Sequence, residues 1–537
     1  MTNHVTENKH FYITTPIYYV NDSPHLGHAY TTVACDVLAR FMRLDGAEVK
    51  FLTGTDEHGQ KVDKAAKAKG LDPQGFTDEI SQRFRVLVND PQESAGGTNL
   101  LNISNTDFIR TTENRHRKAA QGLWQKLVDN GHIYLDSYAG WYSVRDEAYY
   151  QDGELIEKDG KKLAPTGAEV EWVEEESYFF DLSKWQDKLL ELYDNNPDFV
   201  YPNSRLNEVR SFVAGGLKDL SISRTTFDWG VDLPDSVASE SKNKHVMYVW
   251  IDALTNYLTS CGFPDEEGGE YQKFWNNDKS EGPIHVIGKD IVRFHAVYWP
   301  AFLMAADIPL PKKIIAHGWW TIEGEKMSKS LGNVVAPQEL VETYGLDQLR
   351  YFLLRAMPFG NDGDFSRERI GELVNAELAN TIGNLAQRTL SMIFKNFDGV
   401  IPSFLDPTEG DLKLIHQCQN LSIRKKMIGA DFSGAIERII HFARKANEYV
   451  DQQAPWTLRK EGKVERMGTV LYTLAESVRC LAILLQPFCP QSSNKLLDQL
   501  CIAEEERLLV HMSNDFSLKS GVVIEKPEGV FPRLETV

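Results

Sequence analysis

Two short runs carry residue types suited to phosphate chemistry, Pro24-His25-Leu26-Gly27-His28 near the start and Lys326-Met327-Ser328-Lys329-Ser330 far downstream. Each sets cationic or hydrogen-bond-donating side chains beside a glycine that lets the backbone approach closely. A triphosphate needs such a setting when charge moves onto its leaving group. His25 and His28 would sit at or just before a helix N-terminus, where free N–H groups and the helix dipole favour anions. Lys326 and Lys329 would neutralise a departing pyrophosphate from a loop after Gly324. Transfer at an α-phosphate asks for positioning and charge compensation rather than an acid–base pair. The plain alternatives are a histidine helix cap and a solvated Lys/Ser loop.

The elements that must position these runs are legible around them. Phe11 to Tyr19 is rich in β-branched and aromatic residues and predicts a buried strand. Val33, Val37, Leu38 and Phe41 then fall at helix-face spacing, so the histidines stand between strand and helix. A second strand, Val49 to Thr53, leads into Gly54-Thr55-Asp56-Glu57-His58-Gly59, a polar segment at a strand's carboxyl end, where open α/β sheets bind ligands. Further strands are predicted over Val246 to Trp250, Ile284 to Ile287 and Lys313 to Ala316, the last two followed by Gly288-Lys289-Asp290 and His317-Gly318. Residues 135–180 lack this rhythm and read as a β-rich insertion, and beyond Arg367 the pattern turns helical to about residue 500.

A chain of 537 residues exceeds one core and predicts about three domains. The formal charge of −19 argues against indiscriminate polyanion binding, so a nucleic-acid partner must meet a local basic face or be read by shape and bases. The six cysteines are scattered with no pair two residues apart, which suggests neither a disulfide framework nor a thiolate metal knuckle. No signal peptide or membrane anchor is evident, and a cytoplasmic location is the default.

The pair His25-Leu26-Gly27-His28 and Lys326 to Ser330, with the runs TTPIYYVND, FLTGTDEHG, YVWIDALTNY and HVIGKDIVRFH, resembles the class I aminoacyl-tRNA synthetases, and within them the methionyl-tRNA synthetases, over residues 10–500. The resemblance implies an α/β fold with a Rossmann-like parallel-sheet catalytic domain in two halves, residues 1–120 and 236–330. The insertion occupies 121–235, a linker with the end of the lysine loop 331–366, and an all-α anticodon-binding bundle 367–537. It implies that methionine and ATP give methionyl-adenylate and pyrophosphate, with Mg2+ accompanying the triphosphate. The methionyl group then passes to the terminal adenosine of initiator and elongator tRNA for methionine.

Several site roles follow from that resemblance. Trp250, Ala253, Leu254 and Tyr257 stand at helix-face spacing, a stripe that spacing alone reads as ordinary core; in relatives this face, with Ile17, Tyr19 and His295, encloses the thioether side chain. Asp56 would receive the substrate ammonium. Gly27, Gly288, Asp290, His317, Lys326 and Lys329 would hold ATP, and Arg224 would help to close the site. In the tail, Asn384 and Arg388 lie one helical turn apart and away from a buried stripe of Leu378, Ile382, Leu385 and Ile393; with Trp456 they match the family's anticodon-reading pattern.

Many relatives carry zinc knuckles in the insertion, but here Ser143 and Asp146 stand at that spacing and no cysteine lies between Cys35 and Cys261, so no structural zinc is expected. Packing of Trp141, Tyr142, Tyr149, Trp172 and Tyr178 would hold the insertion instead. The chain lacks the dimerising domain appended in some relatives, and a monomer is the simpler expectation. Two rivals remain. A nucleotidylyltransferase would share the histidine turn but not the lysine run or the helical tail, and a noncatalytic tRNA-binding protein would show eroded motifs. Leucine, isoleucine and valine enzymes usually carry a larger editing insertion than the space between the two core halves allows.

Overall fold

A computed structural model describes residues 9–20, 23–89, 98–146, 148–150, 152–158, 160–238, 241–276, 280–326 and 335–535. Of the Lys326–Ser330 run only Lys326 falls within them, and Lys329 lies outside the described residues. The chain divides into two compact units, one built from His10–Pro24 and Lys50–His317, the other from Met1–Lys9, His25–Val49 and Gly318–Val537.

The first unit is organised by a parallel sheet. Among the described residues its strands run in the order Val200–Tyr201, Lys313–His317, Ile284–Gly288, β1 (His10–Thr14), β3 (Glu48–Asp56) and β2 (Tyr18–Tyr19), with β4 (Asp107–Arg110) also pairing β3. The run predicted as one strand over Phe11–Tyr19 is two, because Pro16 has no N–H to give a ladder. Register aligns the carboxyl ends that matter: Tyr19 pairs with Asp56, and Gly288 with His317. Gly54 is required by close approach, since a Cβ there would lie 2.0 Å from the Ile109 carbonyl oxygen of β4.

The strand expected over Val246–Trp250 is not one. Only Val246–Met247 pairs, antiparallel to Ser223–Arg224, and the backbone turns at Tyr248 into a helix over Val249–Leu254. Local β-propensity is overridden there by tertiary packing, since Val249, Ile251 and Leu254 join the sheet's core.

The insertion is β-rich as expected. Ile133–Ser143 pairs antiparallel with Glu171–Phe180 over ten positions. Tyr142 and Tyr178 are buried, whereas Trp172 is 53% exposed and meets only one face of Trp141 edge-on, with Lys162 over the latter's ring. Trp172 thus caps the sheet rather than filling its core. The side chain of Tyr149 lies outside the described residues.

In the second unit, α1 (Leu26–Leu44) is amphipathic and buries Val33, Val37, Leu38 and Phe41. Its Asp36, fully buried, receives Arg40 at 2.7 Å and Arg350 at 2.6 Å; Arg350 also donates to the Pro487 carbonyl at 2.8 Å, anchoring the helix to the tail. Lys326 ends a hairpin of Trp320–Ile322 and Glu325–Lys326, turned by Glu323 and Gly324 with positive φ. The tail is helical from Arg367 to Gln499. Its Val464–Leu485 helix is apolar enough to span a membrane by composition, but every residue from Met467 onward is buried within the unit, which makes it the bundle's core.

Candidate active site

The sheet's carboxyl ends and the helix after Tyr248 gather the predicted methionine residues in one unit. Trp250 lies flat on Phe294, centroids 3.6 Å apart and planes 3° apart, and meets His295 edge-on at 6.2 Å. Ala253, Leu254 and Tyr257 follow on the same helical path, interrupted by one turn residue at Thr255, and are buried. Ile17 and Tyr19 pack on the same core, and the β2–β3 register sets Tyr19 beside Asp56, which is 8% exposed.

A chain of hydrogen bonds fixes the protons in this nest. His295 Nδ1 faces the Ile291 carbonyl at 3.0 Å and must donate to it, so Nε2 is left to accept from the Tyr257 hydroxyl at 2.7 Å. Burial pushes His295 down to about 4, only partly opposed by the Ile291 hydrogen bond and Asp290, so the ring is neutral at physiological pH. His285, stacked on Tyr257 at 4.0 Å, accepts from Trp299 Nε1 and therefore donates through Nδ1 to Thr14; burial, then His295, holds it well below the ordinary histidine range. The result is an uncharged aromatic wall, suited to a polarisable apolar side chain.

The nucleotide candidates Gly288, Asp290 and His317 also converge. A Cβ on Gly288 would lie 2.6 Å from Asp290 Oδ1 and 3.9 Å from His317 Cε1, so the three crowd the ends of two adjacent strands. Arg224 is placed beneath the insertion: its guanidinium donates to the Ser223 carbonyl at 2.6 Å and to Ser221 Oγ at 2.9 Å, and lies over the Tyr248 ring at 4.5 Å.

In the second unit the histidine turn is a capping box. His25 Nδ1 accepts from the Gly27 N–H at 3.0 Å, and His28 Nδ1 accepts from the His25 N–H at 3.1 Å, with the rings 3.9 Å apart. With both Nδ1 atoms accepting, both neutral rings carry their proton on Nε2. Burial, then His25, lowers His28 well below the usual range, so the His28 ring is neutral at physiological pH. Capping and phosphate recognition are therefore compatible uses of one geometry. Gly27 is needed because a Cβ there would meet the His25 ring at 2.9 Å.

In the tail, Leu378, Ile382, Leu385 and Ile393 are buried and Asn384 is exposed. The Arg388 guanidinium lies 5.5 Å from the ring centroid of Trp456, a residue 41% exposed. Arg388 also reaches Asp451 at 3.3 Å. At the would-be zinc spacing, Asp146 accepts from Tyr150 at 3.1 Å and from Thr166, while its N–H donates to Ser143 Oγ at 3.2 Å. Hydrogen bonds thus close that turn.

Phe294 and His58 were not singled out by sequence reasoning. Both lie inside the family-like runs, but neither spacing nor residue type marked the stacking of one or the burial of the other.

A parallel-sheet unit with a helix opened by histidines and an all-α tail is the architecture expected of a class I aminoacyl-tRNA synthetase, and the family match bears this out. Residues 11–390 match the family described as tRNA synthetases class I (M), and 410–536 the anticodon binding domain of methionyl tRNA ligase. The chain is 54% identical to the methionine–tRNA ligase of Rickettsia felis over 533 residues, covering 98% of each, and 52% identical to that of Mesorhizobium japonicum, covering 97% of each. A solved structure of Mycobacterium tuberculosis methionyl-tRNA synthetase in complex with methionyl-adenylate superposes with a TM-score of 0.91 at 48% identity, over 98% of this chain and all of that one. The chain belongs to the methionine–tRNA ligase family.

Proposed function

We propose that this enzyme activates L-methionine with ATP and charges tRNA for methionine. In the first step a methionine carboxylate oxygen attacks the α-phosphorus; the bond from that phosphorus to the bridging oxygen breaks and pyrophosphate leaves. In the second, a terminal ribose hydroxyl of tRNA attacks the adenylate's carbonyl carbon, AMP departs, and the hydroxyl proton is released. Mg2+ enters with the triphosphate as part of the substrate.

The observation that carries this reading is the Tyr257–His295 pair, 2.7 Å apart with a neutral imidazole, in an aromatic wall on the core against which Tyr19, the strand partner of Asp56, also packs. Asp56 takes the ammonium, since a largely buried carboxylate keeps its charge best against a cation. The wall of Ile17, Tyr19, Trp250, Ala253, Leu254 and Tyr257 takes the thioether chain. Gly288, Asp290 and His317 hold the adenosine part, while Gly27 leaves space beside the His25 and His28 donors. Lys326 and Lys329 compensate the charge that develops on pyrophosphate, and Arg224 supports closure behind Tyr248. Asn384, Arg388 and Trp456 read the anticodon, supported by the exposed Trp456 ring beside a guanidinium, a surface on which an unpaired base can stack.

A cytoplasmic monomer serving initiator and elongator tRNAs alike is the simplest form of this reading. Incubation with Mg2+-ATP and methionine, without tRNA, should yield enzyme-bound methionyl-adenylate that added tRNA chases to methionyl-tRNA. Absence of the adenylate would reject the function.

A further inference from the structure

The most constrained polar cluster outside the residues already assigned a role lies behind the methionine wall. Asp252, fully buried between Trp250 and Ala253, accepts from two histidines at once: His58 Nδ1 at 2.7 Å and His116 Nε2 at 2.7 Å. Burial opposes ionisation of Asp252, but the electrostatic attraction of His58 and the hydrogen bonds from both histidines outweigh it and hold the carboxyl at about 2. An ionised carboxylate only accepts, so both ring nitrogens facing it carry protons. His116 Nδ1 in turn meets Thr259 Oγ1 at 3.1 Å. Among the described residues the remaining nitrogen of His58 has no hydrogen-bond partner, so Asp252 supplies that ring's hydrogen bond while Trp229 packs edge-on against it at 5.4 Å.

His58 stands two residues beyond Asp56, in a turn also tied to Trp229 by the Trp229 Nε1 bond to the Glu57 carbonyl at 2.6 Å. The Val249–Leu254 helix that presents Trp250, Ala253 and Leu254 is six residues long and has no side-chain cap. So short a helix cannot fix its own rotation, and hydrogen bonds to an ion are the strongest available tether. We propose that Asp252 is a positioning residue for methionine: by clamping His58 and His116 it sets the distance between the carboxylate that receives the ammonium and the aromatic wall that receives the side chain.

The proposal rests on the reading that Asp56 and the Trp250 face bind methionine, and its test separates the two. In ATP–pyrophosphate exchange, Asp252→Asn should raise the KM for methionine about tenfold, because an amide oxygen faces only one of the two imidazole N–H groups and its NH2 confronts the other. Its kcat and its KM for ATP should stay within about twofold. His58→Asn, which keeps a donor at the Nδ1 position, should stay within about threefold of the parent KM, whereas His58→Leu should match Asp252→Asn. If Asp252→Asn does not fold, the His58 pair decides. Equal impairment of His58→Asn and His58→Leu, or a fall in kcat with both KM values moving together, would overturn the clamp. Asp56→Asn is the control. A parent-like methionine KM there would overturn the underlying reading and the proposal with it. A raised KM there beside a parent-like Asp252→Asn would overturn the clamp alone.

Discussion

The Tyr257 hydroxyl gives its only proton to His295, and His295 can accept it only while neutral. Loss of the hydroxyl therefore leaves a buried acceptor unpaired, which costs about 1–3 kcal/mol. Tyr257→Phe should raise the methionine KM about tenfold and leave the KM for ATP unchanged; equal changes in both would argue against a role confined to the methionine side. The same ring sets a pH dependence. His295 titrates at about 4 folded against about 6.5 unfolded, so the unfolded chain binds the proton first as pH falls. Its contribution to stability is intact above about 6.5, is lost as pH drops toward 4, and is constant below that. Replacing His295 by Gln should flatten that part of the profile of denaturation midpoint against pH. A profile unchanged in shape would contradict a neutral buried ring.

At the scale of elements, the strongest constraints are backbone approaches and one ion pair. A methyl group at Gly54 would press on the Ile109 carbonyl of an adjacent parallel strand, which cannot yield as a side chain could. Gly54→Ala should cost about 3 kcal/mol or more, measured by denaturant unfolding. Arg350→Leu should cost about 3–5 kcal/mol, because Asp36 would be left buried with its charge less compensated.

The elements themselves were unevenly legible. The helix after the histidines was readable because its pattern is long, and the five-residue strands at Ile284 and Lys313 because apolar β-branched runs end there in glycine or histidine. The strand expected over Val246–Trp250 holds only for Val246–Met247, since β-branched and aromatic residues pack equally well in a buried helix and only contacts distant in sequence decide between them. The Asp252 cluster was invisible for a related reason: its partners stand 194 and 136 positions away, and no local pattern encodes such a meeting.

For the molecule as a whole, amino-acid activation and tRNA reading rest on different parts of the chain and should fail separately. Trp456→Ala should weaken charging of tRNA about tenfold or more through the loss of a stacking platform, yet leave pyrophosphate exchange at the parent rate. Matched losses in both assays would mean a folding defect instead. A surface carrying −19 formal charge leaves little room for adventitious phosphate binding, so recognition concentrated at a few aromatic and arginine positions fits this chain better than a broad basic face.

The most direct test of the central claim, that a neutral aromatic nest closed by Tyr257 and His295 selects the amino acid, is ATP–pyrophosphate exchange measured with each of the twenty amino acids in turn. Methionine alone should drive rapid exchange. Comparable exchange with leucine, isoleucine, valine or cysteine, or none with methionine, would contradict it.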